Sequence, residues 1–212
     1  LVKDLLALYN NEQLPELRIQ YKDYAEWIQK EKQQKLIEKQ KEFWISEFSE
    51  KTSIVDLPTD FLRPVRKTFV GDSIGFMLNK EDTDEIKKIV QKEGVSMFIT
   101  LLTIFNILLS KLSRQEDITV GSVIFGRQHA DLESIIGMFV NTLALRNYPK
   151  GELKIKEFLL DVKSKTLSCF DNQFYQLENL IRELNIRPDI NRNPLFDIMF
   201  VFQNYERTEL KL

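Results

Sequence analysis

Few side chains in this sequence carry the usual means of catalysis. The only histidine is His129, in GRQHADLE, and the only cysteine is Cys169. A histidine in a polar loop is an ordinary surface residue unless a nucleophile or carboxylate is held against it. Cys169 lies beside Leu167 and Phe170 in a helical pattern, where a thiol packs as a small apolar group. No GxSxG is present, no His/Cys spacing suits zinc, and the carboxylates form no ligand cluster. Neither GxGxxG nor GxxxxGK[ST] occurs, so phosphate cradling by a glycine-rich loop has no support. One polar pair stands out. In IGMFVNTLALR, residues 136–146, Asn141 and Thr142 sit inside an apolar run that ends in Arg146. Either they serve local backbone groups, as asparagine often does, or they face a cavity where something polar is bound.

Such residues need elements to position them. The chain has 212 residues, 43% hydrophobic and 29% charged, with a formal net charge of −2. That length suits one large domain or two small ones, and the composition is globular. The charge balance gives no electrostatic reason to bind nucleic acid, and no stretch is apolar and long enough for a bilayer. A single cysteine excludes an internal disulfide. LVKDLLALYN has helical spacing from its first residue, so residue 1 is read as a start inside a longer protein.

Residues 21–50, YKDYAEWIQKEKQQKLIEKQKEFWISEFSE, are expected to form one long polar helix with aromatic contacts at Tyr24, Trp27, Phe43, Trp44 and Phe48. TSIVDLPTDFLRPVRK, 52–67, reads as an extended crossing segment because prolines interrupt it. TFVGDSIGFMLN, 68–79, reads as a strand. A helix follows from near Asp82 or Thr83 to a Gly94 stop, then a buried helix over 96–115 capped by Ser96. DITVGSVIFGR, 117–127, reads as a β-branched strand, 128–135 as a loop with a short helix, KIKEFLLDVKSKTLSCFDNQ as another helix, and NPLFDIMFVFQN, 193–204, as a final strand. Strands separated by helices point to a mixed sheet covered by helices, an α/β or α+β sandwich.

Four ordered stretches make a more specific pattern: YKDYAEW (21–27), GRQHADLESIIGMFVNTLALR (126–146), DNQFYQLENLI (171–181) and RPDINRNPLFDIMFVFQN (187–204). Together they resemble the C-terminal half of condensation domains of nonribosomal peptide synthetases, whose later motifs read Y-x-D-Y-A-x-W, I-G-x-F-V-N-T-x-x-x-R, H-Q-x-x-P-F-E and R-x-x-S-R-N-P-L-F. LPTDFLRP (57–64) resembles the family's connector. In the third motif the His and Pro are replaced while Gln173 and Glu178 remain, and Asn191 stands where Ser is usual. The family's catalytic signature, His-His-x-x-x-Asp-Gly, is absent from these residues.

The resemblance implies a chloramphenicol-acetyltransferase-like lobe over 57–212. It is preceded over 1–56 by the end of a helix from an N-terminal lobe, a loop and a crossing helix. It implies a cytoplasmic enzyme that joins two thioester-bound substrates by an amide bond, each carried on the phosphopantetheine of a partner carrier domain. No cofactor is expected on the chain itself. Its partners would be an N-terminal condensation lobe, upstream and downstream carrier domains and an adenylation domain. Gly137, Met138, Asn141 and Thr142 would line the substrate tunnel, and Arg127 would pair with a carboxylate of the other lobe. Without the signature, the fragment alone would be inactive, and its uncovered face would self-associate. Rival readings are an epimerization or heterocyclization domain of the same fold, or a non-catalytic platform that recruits carrier domains.

Overall fold

A computed structural model describes residues 2–50, 54–66, 68, 70–187 and 189–203. Its helices are α1 (Val2–Tyr9), α2 (Tyr21–Ile28), α3 (Glu31–Glu47), α4 (Lys80–Glu93), α5 (Met97–Ser113), α6 (Ile155–Asp171) and α7 (Leu177–Glu183). The strands β1 (Ile118–Ile124) and β2 (Asn141–Asn147) pair antiparallel, from Ile118 opposite Asn147 to Ile124 opposite Asn141. Met199 makes a parallel bridge to Gly121, whose N–H donates to Ile198 O at 2.9 Å while its carbonyl accepts from Phe200 N at 2.8 Å. The sheet is thus mixed. Helix α5 packs on β1 and α6, α6 and α7 both pack on β2, and α7 also meets α3. The main core gathers Trp44, Leu102, Val120, Leu143, Leu145, Phe158 and Val162.

Local chemistry sets the helix ends. Ser96 Oγ accepts from Ile99 N at the start of α5, satisfying one of its free N–H groups. The start of α4 lies at Asn79, whose Oδ1 accepts from Asp82 N at 2.7 Å, slightly before the expected Asp82 or Thr83. Gly94 ends α4 at φ 59°, the left-handed conformation that favours glycine.

At the far end of β2, Arg146 is buried and fully used. Its Nε and Nη2 donate to the two Asp117 carboxylate oxygens at 2.9 and 2.8 Å, and Nη1 donates to Glu47 O and Glu50 O. A bidentate pair of this kind compensates a buried charge and ties the end of α3 to the sheet.

Three expectations need correction. The 21–50 helix is broken at Gln29–Lys30, where Lys30 turns extended with ψ 144° and α3 begins anew. The break lets the α2 aromatics and the α3 residues Gln40 and Trp44 bind different parts of the fold. Residues 68–79 form no strand among those described. Val70, Ile74 and Phe76 are exposed and have no neighbouring strand, and alternation alone supplies no hydrogen-bond partner. The last strand shrinks to the bridge at Met199, and residue 204 lies outside the described residues. Within the apolar run over 136–146 the chain is irregular up to residue 140 and becomes strand β2 at Asn141.

Candidate functional site

The site grows from an aromatic face. Tyr21, Tyr24 and Trp27 follow one another at three-residue spacing on α2, which puts them along one side of a helix. Phe139 packs against this side, T-shaped to Tyr21 at 5.2 Å and tilted to Tyr24 at 4.7 Å between ring centroids. Leu132, Ile135 and Phe139 form a small core of their own with Ile19, Tyr21 and Tyr24. Burial there, with the neighbouring Tyr21, pushes the Tyr24 phenol above its ordinary pKa and keeps it neutral.

Two glycines make the close packing possible. A Cβ on Gly137 would stand 2.1 Å from Cδ2 of Tyr21, so only glycine fits under that ring. Tyr21 Oη donates to Met138 O at 2.8 Å. Gly126 has φ 63°, and a Cβ there would come 2.0 Å from Phe139 O. The chain can therefore fold Arg127 back over the Phe139 ring, 4.2 Å from its centroid. Arg127 Nη1 donates to Leu132 O and, at 2.7 Å, to Ile135 O, which fixes the 3-10 turn Ala130–Leu132. Among the described residues Arg127 makes no ion pair. Met138 and Ile136 extend outward and are mostly exposed.

Asn141 is 6% exposed. Its amide nitrogen donates to Gln173 O at 2.8 Å and Tyr175 O at 3.0 Å, and its Oδ1 accepts from Thr142 N at 2.8 Å. The same turn is held from the other side by α3. Gln40 Nε2 donates to Asp171 O, Gln40 Oε1 accepts from Phe174 N and Tyr175 N, and Trp44 Nε1 donates to Asn172 O. Thr142 borders a void of only about 10 Å³ with Trp44, Tyr175 and Leu180, room for at most one water. The 136–142 stretch thus has two sides: Ile136 and Met138 outward, Asn141 and Thr142 inward.

His129 and Cys169 stay apart in different surroundings. The imidazole is largely exposed, with Nδ1 accepting from Asp131 N at 3.3 Å. Cys169 is buried in the main core, and burial pushes its thiol up to about 12. Among the described residues no three His, Cys, Asp or Glu side chains converge to hold a metal. A cleft of about 530 Å³ opens between α2 and residues 126–132, with Phe174 at one wall. Its Trp27 and Phe174 fall inside two separate sequence motifs, and nothing in either motif shows that the two rings meet. Only the helical spacing of the aromatics in YKDYAEW hints at it.

Among the described residues this arrangement brings no nucleophile and base together. It is a set of separated sequence motifs folded against one another. The condensation-domain family model matches residues 1–211, and the chain belongs to that family. It is 45% identical over all of its 212 residues to gramicidin S synthase 2 of Brevibacillus brevis, covering 5% of that protein. It is 42% identical over its whole length to bacitracin synthase 3 of Bacillus licheniformis, covering 3% of it. The chain therefore spans a small fraction of these relatives. A solved four-domain nonribosomal peptide synthetase bound to AMP and glycine superposes with a TM-score of 0.76 at 21% identity, over 81% of this chain and 13% of that one. That likeness shows the fold: a condensation-domain fold of α/β class.

Proposed function

We propose that this chain is part of a condensation domain that forms an amide bond between two carrier-bound thioesters. The reading rests on one observation above all. The family match runs across 1–211, and within it the motif at 21–27 packs on the motif at 126–146, which in turn holds the turn at 171–176. Residues 57–212 would form the C-terminal lobe, with 1–56 leading into it. The acceptor amine attacks the donor thioester carbonyl, the C–N bond forms, the thiolate leaves, and the amine's proton is lost to solvent or a base. Such catalysis depends mainly on holding two tethered substrates in reach.

The chain's part is to form a wall, not to supply a base. Met138 and Gly137 would border the tunnel. Asn141 and Thr142 would shape it from behind by fixing the neighbouring turn, and Arg127, with donors left beyond its carbonyl contacts, would face a carboxylate of the N-terminal lobe. Phosphopantetheine would arrive on upstream and downstream carrier domains, with an adenylation domain adjacent. The 212 residues hold one histidine, so a His-His signature would have to be supplied from outside them, and the chain alone would not condense substrates. Exposed apolar groups stand in two places, Phe61, Leu62 and Val65 in one segment and Met138 in the 136–146 run, and the face bearing one or the other would associate with a second copy when no other lobe covers it.

The test is product identity. A synthetase carrying this chain is loaded with donor and acceptor thioesters, and the products are analysed by mass spectrometry. An amide joining the two is expected. An epimerised donor or a dehydrated heterocycle would refute this reading.

A further inference from the structure

The cleft beside α2 has features that packing does not require. Its volume of about 530 Å³ falls in the range of small-molecule sites. Trp27 borders it and remains 38% exposed, an unusual position for the largest apolar side chain unless something covers it. Phe174 stands T-shaped to Trp27 at 6.5 Å, and Tyr24 is tilted to Trp27 at 5.8 Å, so three rings border one opening. Charge is divided along it. Asp23 lies in the first turn of α2 and Lys30 just past its last turn. Asp131, also on the rim, is already paired with Arg18. Asp23 uses one carboxylate oxygen to accept from Gln20 N, and among the described residues it forms no ion pair.

We propose that this cleft binds an arylalkyl amine, its ring against Trp27 and Phe174 and its ammonium at Asp23. The ring faces decide the sign. Aromatic faces attract cations and repel anions, so the cation end of a ligand belongs near Tyr24 and Asp23. The inference rests on the amide-forming reading only for the natural occupant, an aminoacyl acceptor with an aromatic side chain, held here in its resting ammonium form and able to attack only after it gives up a proton to solvent or a base. The cleft itself is a property of this chain.

Binding is measured on the 212-residue chain by isothermal calorimetry and by tryptophan fluorescence, with Trp44, buried in the core, as the unperturbed internal reference. The probes are phenethylamine, 3-phenylpropionate and n-butylamine. Phenethylamine is expected to bind saturably, at about 1 mM for a ligand of this size, and to shift Trp27 emission. The anion and the ringless amine should bind at least about tenfold more weakly. Asp23→Asn, which keeps the acceptor for Gln20 N, should weaken phenethylamine about fivefold and leave phenylpropionate unchanged. Phe174→Leu should weaken the binding of phenethylamine while the melting midpoint stays put. Equal affinity for the three probes would overturn the proposal. So would phenethylamine binding that neither variant changes, or no saturable binding at all. Amide formation without binding here would sink this inference alone. Binding here in a synthetase that makes no amide would sink the functional reading alone.

Discussion

The ring of Tyr21 occupies the space that a side chain on residue 137 would need: a Cβ there would lie 2.1 Å from Tyr21 Cδ2. Helix α2 and the 136–140 segment can meet only because Gly137 has no side chain. Gly137→Ala should therefore push the two apart and cost about 1–3 kcal/mol, the usual range for overpacking. Tyr21→Phe removes only the hydrogen bond to Met138 O and should cost about 0.5–1.5 kcal/mol. Urea unfolding of both variants checks the order. A harmless Gly137→Ala would mean that the contact is not held in solution.

Asn141 separates a structural role from a direct one. Its amide is engaged by Gln173 O, Tyr175 O and Thr142 N. Asn141→Ala would leave those groups without their partner, and about 1–3 kcal/mol should be lost. The rate per folded molecule in a synthetase carrying the variant should fall much less. Melting midpoint and single-turnover rate are measured on one preparation. An unchanged midpoint with a large drop in rate would instead make Asn141 a tunnel group.

How far these features could be read from the sequence depends on how local their causes are. Ser96, Gly94 and the apolar run of α5 announce themselves because cap, stop and periodicity lie within a few residues. The family motifs were legible as an ordered set. The strand expected at 68–79 is not found among the described residues, because alternation states which face is apolar but not which edge will pair. The reason for Gly137 was hidden, since Tyr21 and Met138 are 117 positions apart. The work of Asn141 was equally hidden, because Gln40 and Trp44 hold the same turn from a helix that reads as a plain charged surface. Helix α3 gave no sign of breaking from α2, as Gln29 and Lys30 are ordinary helix formers and only tertiary contacts pull the two apart.

Arg146 and Asp117 offer a test of the sheet anchor. The Asp117 carboxylate, bonded to the guanidinium, holds Arg146 above its ordinary pKa, so the guanidinium stays charged. Arg146→Met should cost about 3 kcal/mol, the low end for breaking a buried pair, because Asp117 keeps some contact with water. Adding Asp117→Asn should restore part of the loss, which a double-mutant cycle measures. Simple additivity would contradict the pairing.

Cys169 gives the dependence on pH. Burial, reinforced by the Glu47 charge, raises its thiol to about 12. Because the folded pKa is raised, the neutral thiol favours the fold. That contribution is whole below the ordinary thiol range and fades as pH climbs through it toward about 12. At pH 8 the native protein should hold about a thousandfold less thiolate than an ordinary cysteine. Alkylation by iodoacetamide should be negligible when folded and rapid in urea. Rapid native alkylation would contradict the burial.

The central claim, that these residues supply a wall but not the catalytic histidines, is tested most directly by complementation. The chain alone, and the chain mixed with a separately expressed N-terminal lobe bearing His-His-x-x-x-Asp-Gly, are each given two carrier-bound thioesters. Amide product is then counted per turnover. No product from the chain alone, product from the mixture, and its loss when the second His of that lobe becomes Ala are the expected results. Amide formed by the chain alone, and abolished by His129→Ala, would contradict it.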